Sequence, residues 1–444
     1  MKIVISVHHF PPDRIGGAEL RAFDMAMWLM QMGHEVRVVT VRNLEKDEQS
    51  GIRWSDEEYQ GIPVRRLTLV LPSNDKLRFV SLYDNPLIEE NLRKYLEAFQ
   101  PDVFHMVSGY LLGAGAVRAA KSLGIPVTIT LTDFWFICPR INMLKSDGSI
   151  SNKDEFNPET CARCLLAEKR RFQLVYSLFS SPGVSELRQW IEHRLVSQKV
   201  VDDLAEQVEQ RYITLMGVLD SADSLIFPSR YLLSVCKTRG VTPEKMVYIP
   251  HGIHTIGEVQ RASLTQPPIR VGYLGQVEHH KGVHLLIEAF LKAASAQDMR
   301  LSLFGSSSSN QDYQHKIELL ARQDDRIELR GGYSISEIPE ILSKLDVVVI
   351  PSLWNEIGPL VMFEALRSKV PVIASNIPNM SYEIQDGING LLFEVGNEDA
   401  LADILSMLAQ HPEKLDGMSR NIQPVRTLEQ EMEEIQQIYR QKAG

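Results

Sequence analysis

Cysteine is scarce in this sequence, which has four among its 444 residues. So few cannot form a disulfide framework in a chain of this length. Long apolar runs are also missing, because no stretch approaches the roughly 20 continuous apolar residues of a membrane span. We therefore expect any contact with a membrane to be peripheral.

Positive charge is in deficit, since 47 Lys and Arg face 57 Asp and Glu, for a formal net charge of −10. Binding to a phosphate backbone depends on Lys and Arg, so we expect no nucleic acid partner. The opening MKIVISVHHF lacks the apolar core and small-residue cleavage site of a signal peptide. We expect a cytoplasmic protein, with association at the inner face of the membrane as the alternative.

Short β-branched runs alternate with helical patterns along both halves of the chain. The first series includes IVISV, EVRVVTV and IPVTITL, with an irregular charged stretch after EVRVVTV, and the second restarts at Pro267 with PPIRVGYLG, MRLSLFG and LDVVVIPS. Strands separated by helices indicate parallel sheets with both faces covered. The length and this repetition predict an α/β protein with two Rossmann-like, doubly wound domains and a cleft at the carboxyl ends of their strands.

The predicted domain boundaries lie where the alternation of strand and helix patterns is interrupted and where it starts again. We expect an N-terminal domain over 1–252, with a cysteine-containing loop and helical insertion at about 141–220. A C-terminal domain should cover 253–426. The polar helix at 427–444 is expected to cross back to the N-terminal domain.

Two glycines, Gly16 and Gly17, stand where the first strand turns into the first helix. Glycine permits tight turns, so they can be a simple bend. Backbone without side chains at a helix N-terminus also lets an anionic ligand approach unpaired N–H groups. The stretch alone leaves both interpretations open.

Candidate ligand-binding residues concentrate in the second half. Lys281 lies between a strand and a helix start, where a lysine can bind phosphate, although a solvated lysine on a turn is the simpler interpretation. Glu356 falls on the loop after VVVIPS, and Glu364 falls inside the apolar run VMFEAL. An unpaired carboxylate in such a run is costly, which favours a functional role for Glu364 over a surface pair.

These segments together resemble a known family. The order of the Lys281 loop, PSLWNE, EIGPLVMFEAL, PVIAS and DGINGLLF is similar to that of retaining glycosyltransferases of family 4, which have the GT-B fold. GGAE, PDVFH and IPHG extend the resemblance to the first half. The segment FWFICPR further resembles a branch linked with exopolysaccharide assembly, which carries FWxxCPR.

The resemblance implies roles for individual residues. Lys281 would contact the donor diphosphate, Glu364 would hold the ribose hydroxyls, and Glu356 would lie by the donor sugar and act as a catalytic residue with Lys281. Gly16 and Gly17 would face the donor phosphates from the acceptor domain. Backbone amides over the helix start would contact sugar and phosphate, in the segment Gly358, Pro359, Leu360 and Val361.

Three positions depart from the family pattern. Gln276 replaces the usual arginine, which removes a positive charge from the diphosphate site but keeps a hydrogen-bond donor. Thr132 replaces a histidine proposed to contact the donor sugar, and His254 replaces an aspartate. Gln276 and Thr132 raise the alternative of a catalytically silent, donor-binding or scaffolding subunit, against which Lys281, Glu356 and Glu364 argue.

The resemblance also implies a mechanism. The enzyme would move a sugar from a nucleotide-diphosphate sugar to a glycan or lipid-linked saccharide in cell-surface polysaccharide synthesis. Retention would follow from front-face attack, with the leaving phosphate helping to deprotonate the acceptor and with no protein nucleophile. We expect no required cofactor and no catalytic metal, because the sequence shows no convincing DxD-like pair. A sugar-nucleotide epimerase is the rival reaction, which the paired glutamates disfavour.

Cys138, Cys161 and Cys164 give partial metal-site spacing, one ligand short of four. We expect reduced, unligated thiols, with a structural zinc as the alternative. A basic stretch, Lys169 to Arg171, precedes apolar residues and could dock against anionic lipid, or be a solvated helix start.

Overall fold

The apolar run after Met1 forms the first strand, β1 (Lys2–Val7), which is buried over residues 3–7. It lies near the centre of an eight-stranded sheet with the order β3-β4-β2-β1-β5-β6-β7-β8. The other strands of this sheet are β2 (Glu35–Asp47), β3 (Gly51–Tyr59), β4 (Ile62–Pro72), β5 (Val103–Val107), β6 (Val127–Thr130), β7 (Ser224–Phe227) and β8 (Met246–Tyr248). All pairings are parallel except that of β3 with β4.

The structure is a computed structural model, and it describes residues 1–145, 148–151, 156–167, 197–254, 267–293, 298–306 and 311–443. The chain divides into two units. Unit 1 comprises Met1–Pro250 with Met432–Gly444, and unit 2 comprises His251–Glu431. The basic stretch from Lys169 to Arg171 lies outside the described residues.

The stretch predicted to be irregular and charged is instead a β-hairpin. Strand β2 continues to Asp47, and β3 and β4 pair antiparallel at the edge of the sheet. The prediction was wrong because β3 is largely exposed and polar on both faces, so it lacks the apolar alternation of a half-buried strand. Cross-strand ion pairs such as Arg65 with Asp56 take the place of apolar packing.

The helices of unit 1 connect its strands. Helix α1 starts at the two glycines, and α5 and α6 pack together within the predicted insertion. The helices are α1 (Gly17–Gln31), α2 (Asp75–Ser81), α3 (Pro86–Phe99), α4 (Gly113–Ser122), α5 (Pro158–Ala167), α6 (Gln198–Ser221) and α7 (Arg230–Thr238), and the chain ends in α15 (Leu428–Ala443).

Unit 2 is built on a six-stranded parallel sheet with the order β11-β10-β9-β12-β13-β14. Its strands are β9 (Ile269–Leu274), β10 (Met299–Phe304), β11 (Ile327–Gly331), β12 (Val347–Ile350), β13 (Val372–Ser375) and β14 (Gly390–Phe393). Its helices are α8 (Val283–Lys292), α9 (Gln311–Ala321), α10 (Ile338–Ser343), α11 (Leu360–Arg367), α12 (Pro378–Glu383), α13 (Glu398–Gln410) and α14 (Glu413–Asn421).

Alternate residues of the unit 2 strands face opposite sides of the sheet. In β9, Val271 and Tyr273 join one apolar cluster, whereas Leu274 joins the other. Both faces are therefore covered, as a buried parallel sheet requires. In such a sheet ligands bind beyond the carboxyl ends of the strands, where the loops after β9 and β12 lie.

Among the described residues, the structure contains no helix long and apolar enough to cross a membrane.

Candidate functional site

Two loops meet at the carboxyl edge of the unit 2 sheet, one after β9 and one after β12. The backbone N–H of Leu353 donates to the carbonyl of His280 at 2.8 Å. Gly282 has a φ of +70°, and a Cβ there would lie 1.9 Å from the carbonyl oxygen of Pro351. Both the backbone conformation and the close approach therefore require glycine at this position.

The meeting of these loops pairs Lys281 with Glu356. Lys281 Nζ lies 2.8 Å from Glu356 Oε1, which also accepts hydrogen bonds from Ser352 Oγ at 2.7 Å and from Trp354 Nε1 at 2.8 Å. The lysine side chain is 22% exposed, whereas that of Glu356 is only 6% exposed. The carboxylate is thus fixed inside, and the ammonium group retains access to solvent.

The electrostatics keep Glu356 ionised. Burial raises the pKa of its carboxyl, but the charge of Lys281 and the three hydrogen bonds outweigh that effect and hold the pKa below its usual value. The side-chain amide of Asn379 donates to the backbone carbonyl of Glu356 and so fixes the loop as well. The Lys281 ammonium also lies 5.2 Å from the ring centre of Trp354.

Glu364 lies on α11, which follows the Glu356 loop. It is half-buried between the buried residues Phe363 and Ala365. Tyr333 lies on the loop after β11, near Glu364. Burial and the charge of Glu364 together raise the pKa of its phenol. Glu364 therefore presents a carboxylate at a partly apolar surface, beside a neutral hydroxyl.

The remaining predicted residues of unit 2 border these two loops. Gly358 has a φ of +146°, and Pro359 is the extended N-cap of α11, so within the predicted segment the helix itself begins at Leu360. Val361 lies in the first turn. Gln276 is exposed after β9, and its carbonyl accepts the Tyr273 hydroxyl at 2.6 Å.

One histidine that the sequence left without a role contacts this segment. A Cβ on Gly358 would lie 3.5 Å from the His251 ring. His251 is itself held by Glu431, whose carboxylate lies 3.1 Å from Nδ1 and also accepts the Gly252 N–H at 2.7 Å. Because Glu431 is far along the chain, no local pattern predicts this contact.

Gly16 and Gly17 belong to unit 1, and the structure gives them different surroundings. A Cβ on Gly16 would lie 2.7 Å from Glu19 Oε2, whereas a Cβ on Gly17 would meet nothing within 4 Å. Gly16 is extended, with φ −135°, so the turn itself does not demand glycine. The first glycine makes room for a carboxylate at the start of α1.

The three predicted candidate cysteines, Cys138, Cys161 and Cys164, are partly buried thiols. Cys164 Sγ accepts from Arg140 Nη1 at 3.5 Å, which places a cation beside the thiol. Burial raises the pKa of Cys138, and it raises that of Cys161 to about 11, so these thiols stay protonated. Among the residues that the structure describes, no group of three His, Cys, Asp or Glu side chains could hold a metal ion.

The sequence indicates Lys281 and Glu356 as candidates but does not show that their side chains form an ion pair. It also missed Ser352, Trp354 and Tyr333. Trp354 lies inside the motif PSLWNE, so the sequence shows that an indole N–H is available near Glu356. Only the fold shows that this N–H donates to the Glu356 carboxylate. Tyr333 comes from a different loop and carried no signal.

Comparison with known proteins assigns both units to glycosyltransferase domains. Residues 258–424 match the family of glycosyl transferases group 1, and residues 16–148 match the glycosyl transferase 4-like domain. Alpha-D-kanosaminyltransferase of Streptomyces kanamyceticus is 28% identical over 167 residues, which cover 37% of this chain and 42% of that protein. D-inositol 3-phosphate glycosyltransferase of an Arthrobacter species is 28% identical over 33% of this chain and 36% of that protein. The chain thus matches less than half of the length of these two curated relatives.

Solved structures show the same fold over nearly the whole chain. Anabaena Alr3699/HepE in complex with UDP has a TM-score of 0.66 at 16% identity and covers 99% of this chain and 100% of its own. WaaG, a glycosyltransferase involved in lipopolysaccharide biosynthesis, has a TM-score of 0.60 at 14% identity and covers 98% and 99%. The predicted fold class, GT-B with two Rossmann-like domains, is confirmed.

Proposed function

Because the chain is built from two glycosyltransferase domains, we propose that it is a retaining glycosyltransferase that takes a sugar from a nucleotide-diphosphate sugar. The acceptor is a glycan or a lipid-linked saccharide in cell-surface polysaccharide synthesis. The observation that carries the proposal is the fixed pair of Lys281 and Glu356 on two meeting loops, with Glu364 on the helix that follows.

Lys281 binds the diphosphate of the donor. Its ammonium group is partly exposed, and its partner Glu356 has two further hydrogen-bond donors, so the lysine can turn toward a phosphate while Ser352 and Trp354 still hold the carboxylate. Backbone amides at the start of α11 and the side-chain amide of Gln276 add neutral donors. A positive charge at this point stabilises the departing diphosphate.

Glu364 accepts hydrogen bonds from the ribose hydroxyls of the donor. A carboxylate has two acceptor oxygens, which matches a pair of neighbouring hydroxyls. Tyr333 beside it keeps its phenolic proton, because its pKa is raised, and so adds a neutral donor. A carboxylate here also disfavours a phosphate, which orients the nucleotide with its diphosphate toward Lys281.

Glu356 lies by the transferred sugar. Since its pKa is held low, it is an anion and accepts from sugar hydroxyls. The sugar then transfers by front-face attack, with the leaving phosphate taking up the proton of the acceptor hydroxyl. No protein nucleophile is needed.

UDP-sugars are the first donors to test, because Anabaena HepE is similar in fold and has been solved with UDP and with UDP-glucose. The polysaccharide pathway has support from another relative, a 41.2 kDa protein in the cps region of Klebsiella pneumoniae, 22% identical over 255 residues. The FWxxCPR segment, with Cys138 and Arg140, points to the same exopolysaccharide branch.

The test is release of nucleoside diphosphate from a panel of UDP-, GDP- and ADP-sugars, with water or added glycosides as acceptors. We expect turnover with one nucleotide series, and a loss of about 100-fold or more in Glu356→Gln, with nucleotide binding retained. Glu413→Gln, an exposed glutamate on α14 with a side chain 65% exposed, is the matched control. Nucleotide binding with no turnover of any sugar would instead identify the silent subunit.

A further inference from the structure

A histidine and a glutamate form a buried pair in unit 2, next to the loop after β12. His251 is the first residue of the unit, and Glu431 lies in the first turn of α15. Glu431 Oε1 lies 3.1 Å from His251 Nδ1, and the two side chains are only 7% and 5% exposed. Burial of an ionisable pair costs free energy, and the proposed donor site gives neither residue a role.

Backbone contacts hold this pair in place. Residues 251–253 run alongside residues 426–428 in a short parallel bridge. The Gly252 N–H donates to Glu431 Oε2 at 2.7 Å, and a Cβ on Gly252 would lie 2.0 Å from the Thr427 carbonyl oxygen. Each carboxylate oxygen of Glu431 therefore has its own contact, and the group is fixed against the imidazole.

Another edge of the His251 ring faces the loop after β12. Nδ1 contacts Glu431, whereas a Cβ on Gly358 would lie 3.5 Å from the ring atom Cδ2. Cδ2 is bonded to Nε2, so Nε2 is the ring nitrogen left for a ligand at this loop. Gly358 lies two residues after Glu356 and two residues before the first residue of α11. The imidazole is therefore next to the segment proposed to contact the sugar and the diphosphate.

Positive charge is scarce on the two loops of the proposed donor site. Between the strands β9 and β12 and the helices that follow them, the loops contain a single Lys or Arg, which is Lys281. That cation already faces Glu356. Burial lowers the pKa of His279, and burial together with the charge of Lys281 lowers that of His280 to about 4, so both imidazoles are neutral near pH 7. A sugar nucleotide brings two negative charges to this site, and a further cation would stabilise it.

Three segments pack against His251, and each carries charged groups. Glu431 lies on α15, and Arg426 lies in the segment before it. Glu356 lies on the loop after β12, where Lys281 balances its charge. A neutral imidazole leaves its pair with the negative charge of Glu431, which repels a diphosphate. A proton at Nε2 makes the pair neutral and gives it an N–H donor, and histidine takes up a proton close to neutral pH.

We propose that His251 takes up a proton when a nucleotide-diphosphate sugar binds and then donates its Nε2–H to the diphosphate. The inference rests on the proposed function and adds a proton-coupled binding residue to its donor site. The proton comes from solvent. Glu431 is a positioning residue, which accepts the Nδ1–H and stabilises the imidazolium by its charge. The same positive charge stabilises the diphosphate as it departs.

The test is isothermal titration calorimetry of the full chain in pairs of buffers with different ionisation enthalpies, which counts the protons taken up on binding. The probes are UDP-glucose, GDP-glucose and ADP-glucose. Both phosphates of each probe are diesters without a second proton, so the protein binds any proton that is taken up. We expect proton uptake with the nucleotide that binds, and a dissociation constant about tenfold lower at pH 6 than at pH 8, because a nearby opposite charge favours the charged imidazole.

Variants assign the proton to its residue. His251→Gln should abolish the proton uptake and weaken binding about tenfold at pH 6, with a smaller effect at pH 8. Glu431→Gln keeps an oxygen for the Nδ1–H but loses the negative charge, so the pH dependence should move to lower pH. The matched control is His411→Gln, because His411 Nδ1 lies 3.3 Å from Glu413 Oε1 in a pair that is 53% and 65% exposed. This control should bind and take up protons as the parent does.

The inference would be overturned if the parent chain bound a sugar nucleotide without proton uptake, or if His251→Gln took up protons as the parent does. The parent measurement decides the first point without any substitution, so it does not depend on the stability of a variant. Failure of the proposed function looks different. In that case none of the three sugar nucleotides would bind the parent chain at any pH, and the inference would fall with it.

Discussion

At the scale of the residue, buried carboxylates are held by partners that tertiary packing supplies, as Lys281 holds Glu356 and His8 holds Glu19. Lys281, Glu356 and Glu364 could be selected because charged residues stand beside strand ends or inside an apolar run. Glu19 and His8 carry no comparable signal, because their pairing depends on a helix start folding back over a strand end. Such contacts are set by tertiary packing, which no local spacing encodes.

The two glycines of the first loop provide a matched pair of substitutions. Gly16→Ala places a methyl group against Glu19 Oε2 and should break the bond to His8, whereas Gly17→Ala enters open space at a helix start. We expect Gly16→Ala to be less stable than Gly17→Ala by about 1.5 kcal/mol, measured by urea unfolding. In a Glu19→Ala background the difference should shrink by about 1 kcal/mol. An unchanged difference in that background would show that Glu19 is not what the first glycine accommodates.

The Lys281 and Glu356 pair predicts a pH dependence. The pKa of Glu356 is held low, so the pair contributes stability at neutral pH that is lost as the pH falls through that low pKa. In Lys281→Met, burial instead raises the pKa of Glu356, and protonation then relieves the unpaired charge. We expect this variant to lose about 3 kcal/mol at pH 7.5 and to recover part of it at pH 5.5.

The double variant Lys281→Met with Glu356→Gln removes the charge that titrates. Urea unfolding at both pH values should show it to be more stable than Lys281→Met at pH 7.5, with little recovery on acidification. An equal deficit of Lys281→Met at both pH values would contradict the assigned electrostatics.

At the scale of the element, strongly apolar strands and the helices between them are predictable, and exposed edge strands are not. The parallel strands of both sheets follow the β-branched runs closely. In the β3 and β4 hairpin, β4 has a buried apolar face, but β3 is a polar edge strand whose charged side chains reach over β4 to β2, as in the pairs of Arg42 with Glu57 and Arg53 with Glu45. Periodicity in hydrophobicity carries no information about such a strand.

That hairpin also supports the loop before α1. Arg66 on β4 is 1% exposed and donates to the carbonyls of Phe10 and Pro11, at 3.1 and 2.5 Å, and to Asp13 at 2.9 Å. Arg66→Met should leave two carbonyls without partners and cost about 3 kcal/mol. Limited proteolysis should then cut near Asp13 faster than in the parent chain.

Arg65→Met is the control for Arg66→Met, because Arg65 lies on the same strand and its partners are the exposed Asp56 and the rings of Tyr95 and Trp54, away from the loop before α1. It should cost less than about 1 kcal/mol and leave the cleavage rate unchanged. Equal effects of the two substitutions would show that the loop does not depend on Arg66.

At the scale of the whole molecule, two α/β units were predicted from the repeated alternation, and the fold comparison confirms the class. The terminal helix, expected to cross back to the N-terminal domain, contributes Met432–Gly444 to unit 1. Tyr439 is buried there, and its hydroxyl bonds His105 Nδ1 on β5. The sequence indicated a terminal helix, but a buried tyrosine and histidine 334 residues apart could be paired only by the fold.

The most direct test of the central claim, that unit 2 binds a nucleotide-diphosphate sugar through Lys281 and Glu364, is thermal unfolding with UDP, GDP, ADP and their sugars. A ligand at a hundred times its dissociation constant adds roughly 2.7 kcal/mol to stability, which gives a measurable shift. We expect one nucleotide series to raise the melting temperature of the parent chain and of Glu413→Gln, and to lose most of that shift in Glu364→Gln. No shift with any nucleotide, or an equal shift in Glu364→Gln, would contradict the claim.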